Sequence, residues 1–131
     1  PRRLVLLLDV SGSMAPYADV LLRYAHAAVR VAPVRTEVFT IGTRLTRVTR
    51  ELRLRDPDKA LAASGSAIPD WSGGTRLGEV LKAFLDRWGQ RGTARGAVVV
   101  VCSDDVRIHL PFRLGGLQRL PSCSPAVRLR F

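Results

Sequence analysis

Asp9-Val-Ser11-Gly-Ser13 places one carboxylate and two hydroxyls within five residues, directly after the apolar run Leu4 to Leu8. Two more oxygen-bearing residues hold comparable positions. Thr75 lies in a Gly-Gly-Thr turn that opens a helical pattern, and Asp104 follows the apolar run ending at Cys102. The five residues Asp9, Ser11, Ser13, Thr75 and Asp104 supply three hydroxyls and two carboxylates, with no His or Cys. That donor set suits a hard cation. Mg²⁺ (or Mn²⁺) takes oxygen ligands at about 2.1 Å in octahedral geometry and keeps some of its waters. Zinc and copper call for nitrogen or sulfur, which these positions lack. Each residue also has a plainer use. Asp9, Ser11 and Ser13 could cap a helix, Thr75 could be an N-cap as well as a ligand, and Asp104 could be a turn residue with Asp105 competing for its role.

The elements around these residues predict how they are held. Leu4 to Leu8 is apolar without alternation, as in a central strand covered on both faces. A helix follows, with Pro16 in its first turn and Pro33 as its stop. Val20, Leu21, Tyr24, Ala28 and Val31 are expected on its buried face, and Arg23, His26 and Arg30 in solvent. Glu37 to Ile41 reads as a second strand and Leu45 to Leu54 as a third strand or hairpin. A short helix from Asp56 to Ala63 is capped by Asp56 or Asp58. Leu77, Val80, Leu81, Phe84, Leu85 and Trp88 recur at helical spacing, ended by Gly89 and Gly92. Ala97 to Cys102 is another buried strand.

Strands alternating with helices, each strand ending on a polar residue, predict an α/β fold. It is a Rossmann-like, doubly wound, mostly parallel sheet flanked by helices, with ligands at the carboxyl ends of the strands. Beyond residue 105 the pattern breaks. Pro111, Gly115, Gly116, Pro121 and Pro125 interrupt it, and only Ala126 to Phe131 alternates as a half-exposed strand. The C-terminal part is therefore expected to be incomplete or atypical, leaving Ala97 to Cys102 at a sheet edge unless the tail or a partner covers it.

Composition narrows the classes. The 131 residues are expected to form a single domain over 1–131, with 4–104 carrying the pattern. The net charge of +10 is almost all arginine, with Lys59 and Lys82 the only lysines. The arginines are not interleaved with aromatics, so a nucleic-acid surface is not expected. The series from Arg44 to Arg55 reads as a solvated face or a contact for an acidic partner. No apolar run approaches the ~20 residues of a membrane span. Two cysteines make no disulfide framework, which predicts a reduced, cytoplasmic protein. The first residue is Pro1, so residues are expected to precede it.

Asp9-x-Ser11-x-Ser13, with Thr75 and Asp104 at later loops, resembles the metal-ion-dependent adhesion site (MIDAS) of von Willebrand factor A (VWA) domains. Three longer stretches are similar to CoxE-like VWA proteins: Leu8-Asp-Val-Ser-Gly-Ser-Met-Ala-Pro-Tyr17, Val38-Phe-Thr-Ile-Gly-Thr-Arg-Leu-Thr-Arg47 and Asp70-Trp-Ser-Gly-Gly-Thr-Arg-Leu-Gly78. So is Asp86-Arg-Trp-Gly-Gln90. The resemblance covers roughly residues 4 to 104.

It implies that Ser11, Ser13 and, once a ligand is engaged, Thr75 bind the metal directly, with Asp9 and Asp104 acting mainly through water. A partner's Glu or Asp would then complete the shell. It further implies a non-enzymatic bacterial accessory factor that works with a MoxR-type AAA+ ATPase. Its target would be a molybdenum hydroxylase such as carbon monoxide dehydrogenase. Trp71, beside the Thr75 loop, could anchor a partner or pack beneath the loop. The family's sheet order is 3-2-1-4-5-6, and the residues plainly supply only its first four strands. Two other readings stay open. One is a hydrolase using the cation as a Lewis acid, for which no general base stands near these loops. The other is a shortened chain with no function of its own.

Overall fold

A computed structural model describes residues 2–69, 76–89, 92 and 94–104, and the backbone of 118–119 and 126–130. Its centre is the strand β1, Leu4–Asp9, flanked by β2, Thr36–Ile41, and β4, Val98–Cys102. Both neighbours run parallel to β1, with Leu4 opposite Thr36 on one side and Val98 on the other. The short β3, Leu45–Arg47, pairs antiparallel to β2. On the far side β6, Ala126–Arg130, pairs antiparallel to β4, and β5, Gln118–Arg119, antiparallel to β6. The order is β3-β2-β1-β4-β6-β5. β1, β2, β4 and β5 point the same way, so the sheet is mixed and mostly parallel.

Side chains alternate across a strand, and this alternation divides the core in two. Val5, Leu7, Phe39, Ile41, Val99 and Val101 face the amphipathic helix α4, Leu77–Trp88, which buries Leu77, Val80, Leu81 and Phe84 against them. Phe39 meets Phe84 edge-on at 5.4 Å and Trp88 at 5.3 Å between ring centroids. The Arg47 guanidinium lies over Trp88, 5.4 Å from the ring centroid. On the other face Leu6, Leu8 and Val38 meet α1, Ala15–Val31, together with α2, Thr49–Leu52, and α3, Pro57–Ala67. Each fully buried Leu, Val or Phe side chain contributes about 1.5–3 kcal/mol of transfer free energy.

Local chemistry sets the boundaries. Asp56 caps α3 by accepting hydrogen bonds from the backbone N–H groups of Asp58 and Lys59. Gly89 caps the end of α4, where a Cβ would collide with the Leu85 carbonyl one turn earlier. Gly96, at φ +69°, makes the left-handed turn into β4.

Four expectations are corrected. In α1, Val20, Tyr24 and Val31 are exposed, and only Leu21 and Ala28 of the anticipated face reach the core margin. The buried face is Ala18, Leu22, Ala25, His26 and Val29, whose small alanines let the helix approach the sheet closely. His26 is therefore buried and not solvent-facing, its Nε2 2.8 Å from the Leu54 carbonyl oxygen.

The third strand ends at Arg47 and does not extend to Leu54. Arginines at 44, 47, 50 and 53 recur every three residues, closer to a helical than a strand period. Val48 and Leu52 are fully buried there, and the Thr49 hydroxyl bonds the Val38 backbone, fixing α2 against the middle of β2.

Finally, four strands undercount the sheet. β6 lies alongside β4 from Val98↔Arg130 to Cys102↔Ala126, so β4 is internal. The alternation of Ala126 to Arg130 had marked a strand, and β4 offered its unpaired backbone edge.

Candidate metal centre

β1 and β4 run parallel and in register, so their carboxyl ends meet at one rim of the sheet. Asp9 is the last residue of β1 and is buried. Its Oδ1 accepts the backbone N–H of Ser11 at 2.8 Å, the usual way an Asp closes a tight turn on the backbone two residues ahead. Its Oδ2 accepts the Ser103 hydroxyl at 2.6 Å. Gly12–Met14 form a single 3-10 turn, held by the Met14 N–H donating to the Ser11 carbonyl at 3.0 Å. That turn folds Ser13 back over the rim. The Ser11 and Ser13 hydroxyl oxygens stand 3.2 Å apart, and Ser13 donates to Asp104 Oδ1 at 3.0 Å.

Four of the five sequence-predicted residues, Asp9, Ser11, Ser13 and Asp104, are thus joined in one hydrogen-bonded cluster. Thr75 and Trp71 lie outside the described residues, as do Asp105 and His109. The cluster is graded in exposure. Asp9 and Ser11 are buried, whereas Ser13 and Asp104 face solvent. Asp9 engages both oxygens within the fold and serves as its internal brace. Ser13 and Asp104 are the groups that can turn outward.

Ser103 is the residue that the sequence reading passed over. Its hydroxyl ties β4 to the Asp9 carboxylate, and its only sequence signal was adjacency to Asp104 at a strand end. The arginine series is likewise only partly a solvated face. Arg47 makes paired hydrogen bonds to Glu37 at 2.7 and 2.8 Å, and Arg53 bonds the Pro33 carbonyl at 3.1 Å.

Among the described residues, no group of three or more His, Cys, Asp or Glu side chains could hold a metal. The converging groups at the rim are instead the hydroxyls of Ser11, Ser13 and Ser103 and the carboxylates of Asp9 and Asp104. An all-oxygen set of this kind fits a hard divalent cation that retains water, and does not fit zinc or copper.

A Rossmann-like sheet with this loop at the end of its first strand defines an α/β interaction fold of the VWA type. The chain belongs to the family of VWA domain containing CoxE-like proteins, whose sequence profile matches residues 1–120. No curated protein and no solved structure matches it. Members of this family are typically non-catalytic interaction modules, and membership points to an accessory, interaction role for the chain. Among the described residues, no helix is long and apolar enough to cross a membrane.

Proposed function

We propose that the chain is a metal-ion-dependent protein-interaction module. Ser11 and Ser13 would hold Mg²⁺ or Mn²⁺ directly at the sheet rim and Asp104 mainly through water, with Asp9 bracing the loop from beneath and Thr75 as a further hydroxyl ligand. The observation that carries this reading is the convergence of Ser11, Ser13 and Asp104 within hydrogen-bonding distance, from loops 91 residues apart in sequence. When bound, the cation supplies an electrophilic site that a partner's Glu or Asp completes. The residues of the chain do the rest. Two neutral hydroxyls leave most of the positive charge unspent, and the buried Asp9 keeps the loop from collapsing when Ser13 releases Asp104. The partners in this proposal are a MoxR-type AAA+ ATPase and a molybdenum hydroxylase such as carbon monoxide dehydrogenase, served during its maturation in the cytoplasm.

Thermal unfolding in EDTA, Mg²⁺ or Mn²⁺ tests the site. A ligand specific to the native state stabilises it by RT ln(1 + [L]/Kd), about 2.7 kcal/mol at one hundred times Kd. Saturating metal should raise the wild-type midpoint by several degrees and leave Ser13→Ala within about one degree of its EDTA value. An equal rise in both proteins, or none in wild type, would overturn the assignment.

A further inference from the structure

The outer face of α1 carries an apolar stripe that is exposed among the described residues. Tyr17, Val20, Tyr24 and Val31 are 55, 67, 60 and 86% exposed. With Ala27 they recur at intervals of three and four residues, the spacing of a seam that pairs with another helix. The stripe, from Tyr17 to Val31, runs almost the whole 17-residue helix, about 21 Å at 1.5 Å per residue. Large apolar side chains aligned in this way are unlike the scattered surface apolar residues that need no explanation.

Beside the C-terminal half of the stripe lies an open groove. Its apolar lining includes Leu4, Tyr24, Ala28 and Val31, and its charged lining residues are Arg2 and Arg35. Arg30 flanks the same stretch of helix. Among the described residues, Arg2, Arg30 and Arg35 form no ion pair, whereas Arg23 at the middle of α1 is paired with Asp19 and Asp58. A second copy of the chain is a poor occupant. It would bring the same arginines and a net charge of +10 against this rim, and like charges facing each other are repelled. An amphipathic helix with acidic flanks satisfies both features. Its apolar side covers the stripe, and its carboxylates meet the arginines, the helix-in-groove mode of recognition.

We propose that α1 is a docking face for an acidic amphipathic helix of a partner protein. The stripe begins at Tyr17, close to the cation loop, but its groove is remote from that site. The groove lies by the amino ends of β1 and β2, and the metal centre at the carboxyl ends of β1 and β4. The chain then has two contact points, one at each end of the sheet.

The test uses the full chain and two synthetic 18-residue peptides, both with Leu at the seam positions. One carries Glu at its flanks and the other Lys. Fluorescence anisotropy in EDTA keeps the measurement separate from the cation site. The Glu peptide should bind saturably at micromolar concentration and at least tenfold more weakly in 0.5 M salt, with the Lys peptide tenfold weaker or undetectable. The double substitution Tyr24→Ser and Val31→Ser, at exposed positions, should weaken the Glu peptide at least tenfold. Arg2→Ala with Arg35→Ala should do so mainly at low salt. Equal binding of both peptides, no binding, or insensitivity to both pairs of substitutions would overturn the proposal. So would sedimentation showing a dimer that Tyr24→Ser with Val31→Ser dissolves, because the occupant would then be a second copy.

Discussion

The Ser103 hydroxyl donates to Asp9 Oδ2 at 2.6 Å, joining residues 94 positions apart at the buried end of the β1–β4 pair. A buried hydrogen bond to a carboxylate contributes more than one between neutral groups, about 1.5–3 kcal/mol. Ser103→Ala should therefore lower unfolding free energy by about 1.5–3 kcal/mol in a urea titration. It should also blunt the metal-induced rise in midpoint, because Asp9 braces the loop that carries Ser11 and Ser13. A variant as stable as wild type would show that the contact has no such role.

Acid stability should report on Glu37. Burial pushes its carboxyl upward, but hydrogen bonds from Arg47 and Thr49 outweigh burial and hold it below its ordinary value. A carboxylate depressed in the folded state contributes its stability above the unfolded pKa, about 4.3. The contribution drains away as pH falls through the folded value. Melting temperatures from pH 6 down to pH 3 should therefore fall more steeply in wild type than in Glu37→Gln. Parallel profiles would remove Glu37 from the account.

The aromatic contact under α4 should dominate core energetics on its face. Phe84 is 1% exposed and meets Phe39 edge-on. Phe84→Ala should cost about 3–5 kcal/mol, from lost transfer energy and the cavity left behind. Phe84→Leu, which keeps most of the volume, should cost less than half as much. Chemical denaturation of both variants distinguishes a packed core from a pliable one.

At the start of α3, Asp56→Ala should cost about 1 kcal/mol, because two backbone N–H groups lose their acceptor. Asp58→Ala, by contrast, should change stability by less than about 0.5 kcal/mol, since its contact with Arg23 is exposed. Reversal of that order in urea midpoints would reassign the cap.

What the sequence disclosed follows from the strength of each local signal. Leu4 to Leu8 and Ala97 to Cys102 are apolar on successive residues, a pattern that only a strand covered on both faces makes economical. The α4 stripe stood out because Leu77, Val80, Leu81 and Phe84 are large and regularly spaced. The α1 face was misread for the opposite reason. Burial there is decided by how closely Ala18 and Ala25 let the backbone approach the sheet, while the larger Val20, Tyr24 and Val31 point outward. His26 is buried because Leu54 returns a carbonyl to it from 28 residues away, a contact no local pattern encodes. At the rim, Asp9, Ser11, Ser13 and Asp104 were legible as polar residues at strand ends. Ser103 was not, since its role exists only once β4 lies beside β1. β6 was visible as an alternating segment, but its place beside β4 is a property of the assembled sheet.

The parallel β1–β4 pair has a consequence for the order in which the chain is made. Asp9, Ser11 and Ser13 leave the ribosome first, and their partners Ser103 and Asp104 follow more than ninety residues later. At about 5–20 residues per second, that interval lasts roughly 5–20 s. During that time β1 can pair with β2, but the rim is only half built. A nascent chain that ends before Val98, the first residue of β4, would therefore present the loop without the strand that completes it. Cation-responsive protection should appear late and abruptly during translation, when β4 emerges.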